Sequence, residues 1–224
     1  MTPLLELSLC TTDILRDMGR FSDLGFEEYP VNESVPHPYG VMGDGRFFAG
    51  LHGADFASPT LTYVVPNLVR IVPALSDLEI EFERADLGDD QFNQISFYDP
   101  GNQRINLIEA RTFSPAYADT EASHTLGAFQ GIELPHSDAR QAFWEQLQLV
   151  VETMTQQSVD AESVPLVDVH PDRARLTVRY RGDLDTLIMH SAQQGWRHFS
   201  VTADNEGLYR TDHQFDFVIQ SASS

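Results

Sequence analysis

One segment, residues 95–109, constrains the fold of this chain more than any other. It reads ISFYDPGNQRINLIE, with apolar and polar residues alternating on both sides of an Asp-Pro-Gly-Asn sequence. A turn of that composition joins two half-buried strands. The period of two places Ile105 and Leu107 on one face and Arg104 and Asn106 on the other. The segment therefore predicts a β-hairpin whose second strand has one core face and one polar, potentially functional face.

The first hundred residues repeat one order of elements. A strand at residues 5–9 leads to Asp13, which is suited to begin a helix, and strand candidates follow near Val41 and at residues 46–51. The pattern therefore predicts a strand, a helix and then further strands.

The same order returns from Thr60. A strand, LTYVV, precedes Asn67 and an apolar helical segment, after which a strand is predicted over residues 78–82, followed by the hairpin. A second copy of the same unit is therefore expected.

The second half begins after a stretch rich in Ala, Ser, Thr and Pro, which has the composition of a linker. We predict one domain over residues 1–112, a linker over 113–126 and a second domain over 127–224. Two further units are expected there, although residues 150–169 fit no element. The predicted elements are strands at 129–136, 174–181, 197–201, 207–211 and 215–219, and helices at 139–147 and 183–194.

Charge limits the partners of the chain. Its 224 residues include 34 acidic and 14 basic ones, all of the latter arginine, for a net charge of −20. Phosphate-rich surfaces repel such a protein, so neither nucleic acid nor an anionic membrane is an expected partner. The absence of lysine from the sequence excludes Schiff-base chemistry. A saline habitat and a biased genome explain the acidity equally well.

The compartment is predicted from what the sequence lacks. Cys10 is the single cysteine, so the chain forms no internal disulfide. The first residues carry an acid at Glu6 and no basic segment, unlike a signal peptide. No apolar run is long enough to span a membrane. We therefore expect a folded cytoplasmic protein.

Together these patterns resemble the vicinal oxygen chelate superfamily of glyoxalases, extradiol dioxygenases and bleomycin-resistance proteins. The segment YDPGNQRINLIEA is the most specific part, residues 3–112 resemble one complete paired module, and residues 127–220 resemble a second. The resemblance implies an α+β fold of four βαβββ units that form two cupped mixed sheets. It does not define a function, because this superfamily hosts unrelated chemistries.

The resemblance also indicates where metal ligands would lie, on the first and last strands of each unit. In the first half those positions hold Glu6, Gly50, Thr60 and Asn106. In the second half they hold residues that include an arginine, whose guanidinium stays protonated and does not ligate: Gly131, Arg175 and Asp216. Transition metals need three or four His, carboxylate or thiolate ligands. We therefore expect no bound metal and no cofactor.

A polar set is expected to face each cup instead. The first contains Glu6, Ser8, Thr60, Thr62, Arg104 and Asn106, and the second contains Glu133, Arg175, Thr177, Arg179 and Asp216. Two interpretations stay open. The groups either pair with one another as structural fasteners or orient a small molecule in a concave pocket.

Two functions follow from the pocket interpretation. The first is metal-free binding of a small molecule, as in bleomycin-resistance proteins. The second is a lyase, isomerase or dioxygenase-like enzyme with a non-standard site, in which Glu6 is the general base and Asn106 or Arg104 holds an oxyanion. The chain is expected to be a monomer or a homodimer that completes each cup from its own units.

Other reactive residues have a structural explanation as well. Cys10 shares the face of Glu6 but has no evident base, and Trp144 lies on a predicted helix beside Phe143, where packing is its usual role. Trp196 stays undecided between packing and ligand stacking. Four histidines lack the spacing that a displaced metal site would need: His136, His190, His198 and His213.

Replacing Arg175 with alanine separates the two interpretations for the second half. A buried pair with Glu133 or Asp216 predicts a loss of roughly 3–5 kcal/mol, because a carboxylate is left without its partner. An arginine that awaits an acidic ligand predicts a change below about 1 kcal/mol and loss of that ligand. We expect the structural result. An unchanged midpoint in chemical denaturation would contradict it.

Overall fold

The computed structural model describes most of the first half of the chain and the regular elements of the second. The described residues are 5–23, 26–30, 36–43, 48–65, 67–88, 93–109, 128–135, 137–155, 166–167, 174–180, 189, 199–201, 207–210 and 215–221. Among them, no helix is long and apolar enough to cross a membrane. The predicted linker and the predicted helix at 183–194 lie almost wholly outside this set.

Three helices and fourteen strands make up the described structure. The helices are α1 (Ile14–Asp23), α2 (Leu68–Asp77) and α3 (Asp138–Thr155). The strands of the first half are β1 (Leu5–Cys10), β2 (Glu27–Tyr29), β3 (Tyr39–Gly43), β4 (Phe48–His52), β5 (Thr60–Val65), β6 (Phe82–Asp86), β7 (Gln94–Tyr98) and β8 (Arg104–Glu109). Those of the second half are β9 (Ala128–Pro135), β10 (Leu166–Val167), β11 (Ala174–Tyr180), β12 (Phe199–Val201), β13 (Gly207–Arg210) and β14 (Phe215–Ser221).

The first sheet has eight strands in the order β2-β3-β4-β1-β5-β8-β7-β6. Its two halves are the same unit, since the first strand of each pairs in parallel with the last, β1 with β4 and β5 with β8. The two units join where β1 and β5 run antiparallel. The predicted α+β fold of βαβββ units is confirmed, and one chain supplies all eight strands.

The second sheet has six described strands in the order β10-β9-β11-β14-β13-β12. Here β11 is parallel to β14, as the first and last strands are in the earlier units. The short β10 is likewise parallel to β9, and β9 and β11 join antiparallel. This sheet therefore repeats the arrangement of the first within the described part of the chain.

The helices begin where the sequence predicts. The Asp13 carboxylate accepts a hydrogen bond from the Arg16 backbone N–H at 3.1 Å, and the Asn67 side chain accepts one from Arg70 at 3.1 Å. Each bond satisfies a donor that the first helical turn leaves open. In α2 the buried residues Leu68, Ile71 and Leu75 follow helical spacing and pack on one face of the first sheet.

The prediction of a strand over residues 78–82 is wrong. Leu78 donates its N–H to carbonyls of the last turn of α2, and Ile80 donates to Leu75. Glu79 has a φ of 57°, so the chain wraps around the helix end there. The alternation of Leu78, Ile80 and Phe82 resembles a strand, but β6 begins only at Phe82.

Helix α3 is longer than predicted and joins the core of the first sheet. It continues to Thr155, eight residues beyond the predicted end at Leu147. Leu147 and Val151 are buried in the same cluster as Leu75 of α2 and Phe97 of β7. One apolar core thus includes residues from both halves of the chain, while the predicted domain boundary stays a prediction because residues 110–127 are not described.

A buried ion pair fixes α3 to the predicted hairpin. Asp99, in the turn between β7 and β8, accepts hydrogen bonds from Arg140 Nε at 2.7 Å and from Trp144 Nε1 at 3.1 Å. The Arg140 and Asp99 side chains are 5% and 0% exposed. The guanidinium covers Gly101, where an added Cβ would lie 1.7 Å from Arg140 Nη2. A residue with a side chain at position 101 would therefore displace the Arg140 guanidinium.

Replacing Arg140 with methionine should destabilise the protein by roughly 3–5 kcal/mol, because Asp99 would be left buried without its cation. The matched control is Arg84→Met. Arg84 pairs with Asp86 at 2.5 Å, but its side chain is 58% exposed, so its loss should cost less than about 1 kcal/mol. Urea denaturation of both variants measures the difference. Equal midpoints would contradict a structural role for the buried pair.

Candidate functional site

The six residues predicted for the first cup lie on three neighbouring strands, β1, β5 and β8. Alternate residues of these strands, such as Leu7, Leu61 and Leu107, belong to the core under the helices. The polar residues therefore lie on the opposite face of the sheet. The strand register arranges them in two rows, Glu6-Thr62-Asn106 and Ser8-Thr60-Arg104.

Glu6 is the most buried charged group on this face, with 4% of the residue exposed. Its carboxylate accepts hydrogen bonds from Ser8 Oγ at 2.7 Å, from His52 Nε2 at 3.2 Å and from the Tyr39 hydroxyl. Burial alone would raise the pKa of Glu6, but hydrogen bonding to His52, the charge of His52 and the two hydroxyl donors outweigh it and lower the pKa. Glu6 is therefore an ionised acceptor.

A glycine makes room for this carboxylate. An ideal Cβ on Gly50 would lie 2.2 Å from Glu6 Oε1 and 2.4 Å from its carboxyl carbon. The Glu6 side chain therefore occupies the space above Gly50, on the neighbouring strand β4. From there it reaches Tyr39 and His52. The absence of a side chain at Gly50 is what permits all three hydrogen bonds.

Two histidines outside the predicted polar set extend from Glu6: His52 contacts the carboxylate, and His37 contacts His52. His52 Nδ1 lies 2.9 Å from His37 Nε2, while its other ring nitrogen faces Glu6. The Tyr39 ring stacks on His52 with centroids 4.4 Å apart, and Phe56 contacts it edge-on at 5.4 Å. The sequence signal for His52 is strand alternation, because His52 follows Gly50 by two residues on β4 and so lies on the same face of the sheet.

Arg104 is held by several acceptors. Its Nε donates to Glu83 at 2.6 Å, and its two terminal nitrogens donate to Ser96 at 2.9 Å and to Thr60 at 3.3 Å. The guanidinium lies 5.9 Å from the centre of the Phe56 ring. Burial raises the pKa of Glu83, but its bond to Arg104 and the charge of Arg104 outweigh this and lower it. Arg104 is thus already neutralised by an ionised partner.

Asn106 differs from its neighbours. It is half-buried, between Thr62 on β5 and Ser96 on β7. Thr62 bonds to Ser8 at 2.7 Å and Ser96 bonds to Glu83 at 3.1 Å. Within the described part of the chain, no hydrogen bond satisfies the Asn106 side-chain amide. Its donor and acceptor groups are available to a bound molecule.

The residues at the family's ligand positions do not fit a divalent transition metal. Among the four first-half positions Glu6 is the one carboxylate, and its oxygens accept hydrogen bonds from three donors. Its side chain fills the space over Gly50, and the Thr60 hydroxyl donates to the Ala57 carbonyl at 2.6 Å. The described residues contain no group of three or more His, Cys, Asp or Glu that could hold a metal ion.

In the second half, the backbone register brings the predicted charged residues into one row. Arg175 on β11 pairs with Glu133 on β9 and with Asp216 on β14, and Asp216 pairs in turn with Arg210 on β13. Opposite charges thus alternate across four strands. Arg179 instead pairs with Ala128 and Gln220. An Arg179→Ala variant is therefore a control for Arg175→Ala.

The remaining candidates divide into described and undescribed residues. Cys10 lies opposite His52 in the register and is half-buried. Trp144 packs near Tyr63 and Phe143 and donates to Asp99. The others considered above lie outside the described residues: His136, His190, His198, His213 and Trp196.

Replacing Gly50 with alanine should move the Glu6 carboxylate and destabilise the protein by about 1–3 kcal/mol, the usual cost of overpacking. Gly19→Ala is the control. Gly19 lies in α1 with nothing within 4 Å of an added Cβ, so alanine should stabilise the helix by roughly 0.5–1 kcal/mol. Chemical denaturation gives both values. A neutral Gly50→Ala variant would contradict the tight contact with Glu6.

Comparison with known proteins identifies the fold. The sequence matches no family model, and no curated protein matches it. Solved structures do match. A homoprotocatechuate 2,3-dioxygenase from Arthrobacter globiformis superimposes with a TM-score of 0.58 at 10% identity, over 99% of this chain and 79% of that one. A halotolerant catechol dioxygenase gives 0.54 at 10% identity, over 99% and 86%.

A glyoxalase matches as well. The Mn(II)-bound glyoxalase from Novosphingobium aromaticivorans gives a TM-score of 0.53 at 12% identity, over 97% of this chain and 80% of that one. At such identities the likeness concerns the fold alone. It agrees with the paired βαβββ units of the first sheet. The resemblance inferred from the hairpin is confirmed: this chain has the fold of the vicinal oxygen chelate superfamily.

Proposed function

We propose that this chain binds a small, neutral organic molecule in the cup of the first sheet without a metal, in the manner of bleomycin-resistance proteins. The Asn106 amide carries the proposal. It is half-buried on the polar face, and no described residue satisfies it, although the hydroxyls on either side of it are bonded. A polar group of this kind is suited to orienting a ligand.

The same face carries an apolar cluster whose partly exposed members, Tyr29, Tyr39 and Val64, provide apolar contact area. Phe48 and Val41 are buried in a small cluster with Tyr29, Tyr39 and Val64 packed against them. By strand parity this cluster lies on the same face as Glu6, because Phe48 pairs with Glu6 in the register. Ligand sites commonly combine an apolar lining with a few polar groups.

The charges on this face favour a neutral ligand. Arg104 is paired with Glu83 at 2.6 Å, so its charge is largely compensated. Glu6 is ionised because its hydrogen bonds lower its pKa, and the chain as a whole carries a charge of −20. An anionic ligand would meet net repulsion. Neutral aromatic and carbonyl compounds are therefore the first class to test.

Metal independence rests on the chemistry of the donor set. The carboxylate of Glu6 is committed to Ser8, Tyr39 and His52, and a metal would have to displace those donors. Elemental analysis of the purified protein should find less than stoichiometric Zn, Fe, Ni and Mn. About one equivalent of any of these that resists dialysis would contradict this part of the proposal.

The decisive variant is Asn106→Leu, tested with the compound that most raises the melting temperature in a screen of neutral and anionic small molecules. Because Asn106 forms no bond within the described structure, the apolar variant should keep its stability. It should bind that compound roughly tenfold more weakly, the value of one hydrogen bond near 1.4 kcal/mol. Calorimetric titration measures the affinity.

Thr62→Val is the matched control. Thr62 bonds to Ser8 at 2.7 Å, so valine should cost about 1 kcal/mol of stability and affect ligand affinity less than Asn106→Leu does. If Asn106→Leu left the affinity unchanged, Asn106 would not be a ligand contact. If it destabilised the protein as much as Thr62→Val, the amide would have a structural partner.

A further inference from the structure

Glu6, His52 and His37 form a continuous hydrogen-bonded chain. His52 Nε2 lies 3.2 Å from Glu6 Oε1, and His52 Nδ1 lies 2.9 Å from His37 Nε2. The Glu6 side chain is 6% exposed and that of His52 is 15% exposed, while His37 is half-buried. The chain thus leads from a buried carboxylate to an imidazole with access to solvent.

The hydrogen positions follow from the partners. Ionised Glu6 only accepts, so His52 Nε2 carries a hydrogen that it donates to the carboxylate. In the tautomer that leaves His52 Nδ1 without a hydrogen, this nitrogen accepts a hydrogen bond from His37 Nε2–H. His37 Nδ1 then carries a lone pair, and no described residue donates a hydrogen bond to it. Burial lowers the pKa of His37, and the charge of His52 lowers it further, so His37 is neutral near pH 7.

We propose that Glu6, His52 and His37 form a metal-independent proton relay, in which His37 Nδ1 takes a proton from a neutral ligand in the first cup. The proposal rests on the small-molecule site proposed above and adds to it a ligand class, molecules with a weakly acidic O–H or C–H group. His37 is the proton acceptor, whereas His52 and Glu6 are positioning residues.

The proton moves from the ligand to His37 without any further reactant. The ligand X–H bond breaks, its electron pair stays on X, and the proton forms a new N–H bond at His37 Nδ1. The His37 Nε2 proton shifts toward His52 Nδ1, so one positive charge is shared by the two rings. The Glu6 carboxylate stabilises that charge. With His37 as the proton acceptor, Glu6 is not the general base. Its lowered pKa makes it a weak base.

Few other titratable groups face the pair in the described structure. Tyr39 on β3 stacks on His52 and donates to Glu6, and burial together with the charge of Glu6 raises its pKa, so it stays neutral. Cys10 on β1 lies opposite His52 in the register. Asp55 is exposed in the loop after β4. Glu6 is thus the charged group that contacts the pair directly within the described structure.

Long-range ¹H–¹⁵N correlation spectra of the ligand-free protein test the relay, with each ring assigned through its His→Gln variant. At neutral pH both His52 and His37 should show the Nε2–H tautomer. In Glu6→Gln the titration midpoint of the pair should fall by about one pH unit, a tenfold loss of proton affinity. In Tyr39→Phe, which keeps the ring and the carboxylate, the midpoint should stay or rise.

A second variant covers the case in which Glu6→Gln does not fold. In His52→Gln the midpoint of His37 should rise toward about 6.5, the value of a free imidazole, because the neighbouring charge is gone. A histidine pair that Glu6 does not influence predicts neither shift. An unchanged midpoint in both Glu6→Gln and His52→Gln, or a Nδ1–H tautomer on His52, would overturn the relay.

Zinc titration gives the other decisive outcome. The relay predicts no tight binding of Zn²⁺ by the two histidines. Binding of one equivalent that is lost in both His37→Gln and His52→Gln would make the pair a metal site and overturn the proposal. None of these measurements uses a ligand, so a failed relay leaves the Asn106 test of the binding site unaffected, and a failed ligand screen leaves the relay test valid.

Discussion

The arrangement of the described core depends on the hydrogen bonds that the Asp99 carboxylate accepts. It accepts hydrogen bonds from the backbone N–H groups of Gly101 at 2.8 Å and Gln103 at 2.7 Å. These two bonds close the turn between β7 and β8. It also accepts from Arg140 and Trp144 of α3. A fully buried carboxylate is tolerated only when its acceptor capacity is used in this way. One side chain therefore shapes the hairpin and positions a helix from the other half of the chain.

That fixed hairpin determines where the site residues lie. Strand β8 leaves the turn at Arg104 and pairs with β5 in parallel, so the register of the turn sets which side chains stand beside Thr60 and Thr62. A slip of one residue would exchange Arg104 and Asn106 for Ile105 and Leu107 on the polar face. The stability of the core and the composition of the cup are thus consequences of the same turn.

How much of this could be predicted depends on whether the signal was local. The hairpin, the helix starts at Asp13 and Asn67 and the order of elements along a unit follow from alternation and capping, which act over a few residues. The role of Arg140 required knowing that α3 packs beside α2, a contact between residues more than forty positions apart, since Arg140 meets Asp99. No local pattern carries that information.

The same distinction holds for the site. Strand alternation predicts that Glu6, Ser8, Thr62 and Asn106 share one face. It does not predict that the Glu6 side chain lies above Gly50. Only the pairing of β1 with β4 brings the carboxylate to the missing side chain. The contact between His37 and His52 is not predictable from alternation, because His37 precedes β3 and lies 15 residues from His52 in the sequence. The polar face of the sheet is therefore predictable from the sequence, whereas the direction of the Glu6 side chain is not.

Gly50 links the fold to its chemistry. In the metal enzymes that share this fold, the resemblance places a ligand at this position, and a side chain there would occupy the space that Glu6 takes here. A buried carboxylate needs positive charge or several donors to stay ionised. Ser8, Tyr39 and His52 supply those donors, so they satisfy Glu6 in the way a metal ion would satisfy a ligating carboxylate. Because one of those donors is an imidazole with a second ring nitrogen, the substitution also connects Glu6 to His37 near the surface.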